Sequence, residues 1–132
     1  MLGDQLGEST GKRIVRRVLS VDPLQVEVTF EDAGTMLGVA TKGMGTYTSA
    51  VQPDGSVHGE GQGFMATADG EAITWKGSGS GKLGPDGSVS YRGILYYRTD
   101  SKKLARLHNA CGVFEYEVDA AGNTTSKVWE WK

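Results

Sequence analysis

With a single cysteine, Cys111, the 132-residue chain has no means of forming an internal disulfide or an all-cysteine zinc or iron–sulfur site. It has two histidines, His58 and His108, too far apart in sequence to be a ligand-spaced pair, so no metal site and no cofactor are read from it. Three prolines are too few for a proline-rich disordered tract. No apolar run approaches the ~20 residues of a membrane-spanning helix. Charge of one sign is also lacking: 14 Lys+Arg against 16 Asp+Glu leave a net charge of −2, whereas a dedicated nucleic-acid binder is usually basic. The start, Met1-Leu-Gly-Asp4, does not carry the charged-then-apolar pattern of a secretory signal. The expectation is a cytoplasmic protein with neither nucleic acid nor membrane among its partners. Apolar residues make up 38% of the chain, enough for one modest core, hence a single domain over residues 1–132.

Glycine is in excess, 20 of 132 residues, about twice the average usage, with no three-residue period of the collagen kind. Residues 1–12 read as a loosely ordered polar start. Beyond them lie short apolar runs. Residues 13–21 stop before Asp22-Pro23, and residues 25–31 alternate apolar and polar as a half-buried strand does. Asp32-Ala-Gly34 reads as a turn, followed by strands at 36–41 and 43–52. Three loops then share one signature, Pro53-Asp-Gly55, Ala68-Asp-Gly70 and Pro85-Asp-Gly87, and Asp-Gly at the end of a three-residue loop fits a type I turn closed by a glycine with positive φ. Pro-Asp-Gly-Ser-Val at 53–57 and 85–89 is a faint repeat of one hairpin. Residues 100–109, with Asp100 as a candidate N-cap, read as one short helix. Two further strands follow, 110–118 and 124–132. The expected fold is all-β, a closed antiparallel meander barrel of about eight strands.

Loop length sets register. Three-residue Asp-Gly loops pair Gln52 with Ser56, Thr67 with Glu71 and Gly84 with Ser88. All odd positions between 44 and 98 then share one face, with Tyr47, Val57, Ile73, Trp75, Tyr91 and Tyr97 among a row of glycines. Three causes can account for that row: strong coiling of the sheet, seats beneath large rings such as Tyr47 opposite Gly61 and Trp75 opposite Gly63, or a void. A void makes Tyr47, Trp75, Tyr91 and Tyr97 the candidate ligand-binding residues. The even face carries His58, Glu60, Lys76, Ser80 and Arg92, with His58 beside Ser80 and Ser80 beside Arg92. His58, Glu60 and Arg92 are the candidate catalytic residues if that face lines the lumen; otherwise they are cross-strand pairs on a solvated surface.

Other features are weaker. His108, Asn109 and Cys111 share residue types with thiol-nucleophile sites, but a plain buried cysteine accounts for Cys111. Gly79-Ser-Gly-Lys-Leu-Gly84 has dinucleotide-type glycine spacing but leads into a hairpin rather than a helix, and Gly7-Glu-Ser-Thr-Gly-Lys12 is one residue short of a phosphate loop. Lys12, Arg13, Arg16 and Arg17 form a basic cluster, suited to a phosphate or acidic partner or to a solvated edge. Trp129 and Trp131 lie on one side of the last strand, where they either fill the barrel or form a subunit interface.

The run from Met44-Gly-Thr-Tyr47 to Arg92-Gly-Ile-Leu-Tyr-Tyr97, with Gly59-Glu-Gly-Gln-Gly63 and Trp75-Lys-Gly-Ser-Gly79 inside it, and then Lys103-Leu-Ala-Arg-Leu107 and Gly112-Val-Phe-Glu-Tyr-Glu-Val118, resembles small bacterial barrel proteins of uncharacterised function over residues 12–132. That group is similar in fold to allene oxide cyclase, a calycin-like eight-stranded barrel with a ligand-sized interior. The lipocalin Gly-x-Trp near the first strand is absent. No residue matches a cyclase site position by position, so none is carried over. The aromatic and glycine interior face, with few polar atoms, points to a barrel binding a small apolar ligand. A homo-oligomer, dimer or trimer, is expected, and the alternatives for function are an isomerase or cyclase on the same barrel or a purely structural, assembly-mediating barrel.

Overall fold

The three Asp-Gly loops do what their sequence requires. Gly55, Gly70 and Gly87 have φ of 84°, 85° and 86°, a region open to glycine at no steric cost. The N–H groups of Gln52, Thr67 and Gly84 donate to the carbonyls of Ser56, Glu71 and Ser88, the expected closing pairs. From these turns the meander propagates. The computed structural model describes all residues, Met1–Lys132, as eight strands: β1 (Leu2–Val21), β2 (Leu24–Met36), β3 (Val39–Val51), β4 (Ser56–Thr67), β5 (Ala72–Leu83), β6 (Val89–Thr99), β7 (Cys111–Val118) and β8 (Asn123–Trp131). Each pairs antiparallel with the next, and β8 returns to β1, closing the barrel. No helix is long and apolar enough to cross a membrane.

Three readings of the sequence are corrected. Residues 1–12 are not a loose segment, because residues from Leu2 onward form the first half of β1, paired with β8 and, from Gly7, with β2 as well. Gly7 and Gly11 are there for proximity: a Cβ on Gly11 would lie 2.0 Å from the Glu31 carbonyl oxygen. Asp32-Ala-Gly34 is not a turn either. β2 runs straight through it, and the chain reverses at Leu37-Gly38, with φ of 50° and 79°. The third correction concerns 100–109, which holds one 3-10 turn, Ala105–Leu107, rather than an α-helix. The burial period explains it. Ser101, Leu104, Leu107 and Ala110 are buried and the residues between them are exposed, a spacing of three that suits i→i+3 hydrogen bonds.

That turn plugs one end of the barrel. Leu104 and Leu107 are fully buried against Leu6, Met36, Ile73, Tyr97 and Val128, each contributing about 1.5–3 kcal/mol of hydrophobic stabilisation. Arg106 ties the plug to the wall through Asp4 (2.9 Å) and Glu130 (2.7 Å). A second cluster, Val57, Tyr91, Tyr116 and Val118, fills the other end. Odd residues of β3–β6 point inward as expected, with Val57, Ile73, Tyr91 and Tyr97 at most 4% exposed. Trp129 and Trp131 lie on the outer face; Trp131 is 56% exposed.

One strand overruns the barrel. β1 pairs with β8 only as far as Lys12↔Asn123, and a last hydrogen bond joins Arg13 N–H to the Gly122 carbonyl. Beyond that point β1 pairs with β2 alone. Its outer edge is free, and Ile14, Val15, Val18 and Val21 along it are exposed.

Candidate functional site

Between the two clusters lies a cavity of about 120 Å³. Tyr47, Trp75, Tyr91 and Tyr97, the four residues expected to line a lumen, all line it, joined by Phe30, Phe114 and Tyr116. The rings lean on one another: Phe30 is 5.5 Å from Tyr116 and 6.2 Å from Trp75 between centroids, and Tyr47 meets Tyr91 and Tyr116 edge-on at 5.8 and 5.9 Å. Edge-to-face and tilted packing at such distances is favourable. The glycine row seats these rings. A Cβ on Gly45 or Gly63 would lie 2.6 Å from Trp75 Cζ2, and one on Gly59 would lie 3.0 Å from Tyr91 Cε1. Other glycines serve strand proximity instead, as at Gly81 and Gly93, where a Cβ would lie 2.1 Å from a carbonyl oxygen of the neighbouring strand. Ring seats and close strand approach account for these glycines, and a void remains between the rings.

Polar side chains enter the cavity from β1, β2 and β8, among the rings carried by β2 and β7. Asp32 points inward on the same face of β2 as buried Phe30 and Met36, and the Ser9 hydroxyl donates to its carboxylate at 3.0 Å. Ser126, paired with Ser9 across β1 and β8, lines the same space. The Tyr116 hydroxyl is buried with no partner in good hydrogen-bond geometry, the Tyr47 hydroxyl being the polar group beside it. Burial raises the pKa of the Asp32 carboxyl, with the Ser9 hydrogen bond opposing the shift. Burial, then neighbouring Tyr91, pushes Tyr47 up to about 12. Burial also raises Tyr97, with the charge of Asp32 adding to it, and raises Tyr116, with Tyr47 as the next cause. Tyr91 is raised by burial and relieved by its hydrogen bond to Ser49.

The side chains of His58, Glu60 and Arg92 are turned to solvent, each more than half exposed; of the three, Glu60 also borders the cavity. His58 Nε2 lies 3.4 Å from Glu60 Oε1, with the Glu60 side chain 72% exposed. Arg92 is a hub on the neighbouring outer face, 2.7 Å from Glu117 and 3.8 Å from Glu115. No group of three or more His, Cys, Asp or Glu is arranged to hold a metal ion. Cys111 is a partly buried free thiol.

Sequence reasoning missed the polar side chains of the cavity. Asp32 was hidden by the apparent turn at Asp32-Ala-Gly34. Phe114 and Tyr116 lay beyond a long connection, residues 100–110, that carries no register signal. The alternation of 112–118 was visible, but not which of its faces is inside.

No protein-family model matches the chain, and no curated protein does. Solved structures do. The fold is similar to that of a protein of unknown function from Clostridium acetobutylicum ATCC 824 (TM-score 0.82, 16% identity, covering 98% of each chain). It is also similar to a conserved protein of unknown function from Rhodopseudomonas palustris (TM-score 0.78, 11% identity, 98% of this chain and 97% of that one). A β-barrel-like protein from Acinetobacter baumannii AYE matches with a TM-score of 0.78 and 14% identity over 100% of this chain and 96% of that one. At these identities the likeness shows the fold alone.

Proposed function

We propose that the protein is a small-molecule binding barrel whose ligand sits in the central cavity. The observation that carries this reading is a lumen left open between two packed clusters and lined by aromatic rings, with Tyr47, Trp75, Tyr91 and Tyr97 as the apolar contacts. A side-chain-filled barrel would have no reason to leave this space, because interiors pack to crystal-like density. The volume sets the scale: a dry engineered cavity of about 150 Å³ takes benzene, so the ligand, or the part of it that enters, is of small-ring size. Native mass spectrometry on protein purified gently from its own cells, followed by denaturing spectra, tests this. An extra mass lost on denaturation, and absent from Trp75→Ala and Tyr91→Ala, is the expected result. The absence of any extra mass, together with no response of the cavity rings to added benzene, overturns it.

A second reading is an isomerase or cyclase working in the same cavity, in line with the allene oxide cyclase-like resemblance. It is favoured by Asp32 and the Tyr116 hydroxyl, two proton-carrying groups beside an apolar space. Turnover of the recovered compound separates the two. A third reading is assembly of two or more copies, supported by an outer apolar stripe in which Leu2 pairs with Trp131 and Trp129 with Val113. A monomeric mass at micromolar concentration counts against it.

A further inference from the structure

The binding reading leaves Asp32 unexplained. Its carboxylate faces the lumen, and its hydrogen-bond partner is the Ser9 hydroxyl. It takes part in no salt bridge, although eight contacts of that kind decorate the protein. A charge removed from water without a counter-charge costs stability, and one satisfied only by a hydroxyl remains under-compensated. An apolar side chain on β2 at this point would avoid the cost. Tyr97 and Tyr116 face the carboxylate, and Phe30 lies two residues before it on the same face of β2; the faces of these rings are electron-rich. A carboxylate next to such rings is the arrangement that recognises ammonium groups, by charge pairing and by cation–π attraction. A divalent metal ion is the poorer match, because no second carboxylate, histidine or thiol joins Asp32.

We propose that the cavity selects small organic cations, primary to quaternary ammonium groups of about five-membered-ring size, with Asp32 as counter-ion and the ring of Tyr116, with Phe30 and Tyr47 packed on it, as the cage. This rests on the binding reading and names the ligand class for that site. Ser9 is a positioning residue, holding the carboxylate by one hydrogen bond. Ser126 and the Tyr116 hydroxyl supply acceptors for the remaining N–H groups of a primary or secondary amine.

Three rings of equal size and different charge test the proposal: pyrrolidine, protonated at neutral pH, tetrahydrofuran and cyclopentane. Each is titrated into the full-length protein while the ring and indole N–H resonances of the cavity are followed by NMR. Pyrrolidine is expected to bind about tenfold or more tighter than either neutral ring, the scale of a charged hydrogen bond. Asp32→Asn keeps an acceptor for Ser9 and should remove that preference while leaving cyclopentane unaffected. A second arm needs no variant. In wild-type protein the pyrrolidine preference should fade as acid protonates Asp32. The titratable groups facing Asp32 are Tyr97 on β6 and Tyr116 on β7, which stay neutral throughout the acid range; Glu8 and Glu60 also border the cavity but are exposed, so Glu8→Gln and Glu60→Gln should leave the acid response unchanged. Equal binding of pyrrolidine and cyclopentane, or a preference that survives both Asp32→Asn and acid, overturns the cation inference and leaves the binding reading in place. If none of the three rings perturbs the cavity resonances, the binding reading falls with it.

Discussion

Adding one methyl group at Gly45 tests whether the glycine row exists to seat the rings. A Cβ there would lie 2.6 Å from Trp75 Cζ2 and 2.9 Å from Phe30 Cζ, where ordinary contact begins at 3.4 Å. Trp75 must therefore retreat by 0.8 Å and Phe30 by 0.5 Å. The nearest atoms are ring atoms rather than backbone, so the strands can stay in place. Phe30, however, is held by Tyr47 and Tyr116 at 6.1 and 5.5 Å, and Trp75 is stacked on Phe30. The open direction for Trp75 is the cavity. Overpacking of this kind costs about 1–3 kcal/mol, and restriction of the unfolded chain by alanine returns about 0.4–1 kcal/mol. The net expectation for Gly45→Ala is a loss of about 1–2 kcal/mol, or a fall in Tm of roughly 5 °C for a domain of this size. The Trp75 indole N–H resonance should shift and the cavity should shrink. Gly59→Ala is the internal control, because its nearest ring atom lies 3.0 Å away and a small tilt of Tyr91 relieves it. Urea unfolding and the indole N–H spectrum read both variants. If Gly45→Ala is as stable as the parent with Trp75 unmoved, or if Gly59→Ala is the more damaging of the two, the seating argument is wrong.

Asp32→Asn should stabilise the protein at neutral pH, by about 1 kcal/mol on the scale usual for relieving a functional residue. The carboxyl pKa is raised above 3.8 in the fold, so the folded state loses stability relative to the unfolded chain as pH rises through that range. The gain should therefore vanish below about pH 4, and a gain of equal size at pH 3 and pH 7 in denaturant melts would refute it. Leu107→Ala empties a fully buried position in the plug and should cost about 2–5 kcal/mol; a change under 1 kcal/mol would mean that the plug is not part of the core. Tyr47, pushed up to about 12, should stay un-ionised after the unfolded chain's tyrosines titrate near 10, so stability should fall above pH 10; alkaline ultraviolet titration checks this. Arg92→Gln, on an exposed face, should cost less than about 1 kcal/mol despite its two glutamate partners, and a larger loss would give that outer cluster a role of its own.

What the sequence made legible follows from where its local rules are strong. Asp-Gly loops with obligatory positive φ set the register of β3 to β6, and from that register the inward positions of Tyr47, Trp75, Tyr91 and Tyr97 followed without any tertiary information. Where a glycine answered to a neighbouring strand, local rules misled. Gly34 looks like a turn residue, yet it sits in the middle of β2 because a Cβ would fall 1.9 Å from the Glu8 carbonyl oxygen on β1. That misreading removed Asp32 from view, and with it the polar part of the cavity lining. Similarly, Leu104 and Leu107 have helix-forming neighbours, but their spacing of three marks a 3-10 turn whose position depends on the hole it fills. The outward placement of His58, Glu60 and Arg92 was within reach of the same register argument.

The overrunning half of β1 changes how concentration and salt act on this protein. Closing a barrel removes sheet edges, but here one edge reopens between Ile14 and Val21, with apolar side chains exposed along it. Arg13, Arg16 and Arg17 stand on that same ribbon, and only Arg17 has a nearby carboxylate, Glu27. Two copies meeting edge to edge would bring six guanidinium groups together. Their repulsion is screened over about 10 Å at 0.1 M ionic strength and over about 3 Å at 1 M. On such a ribbon the arginines oppose an edge-to-edge approach of two copies, and added salt weakens that opposition.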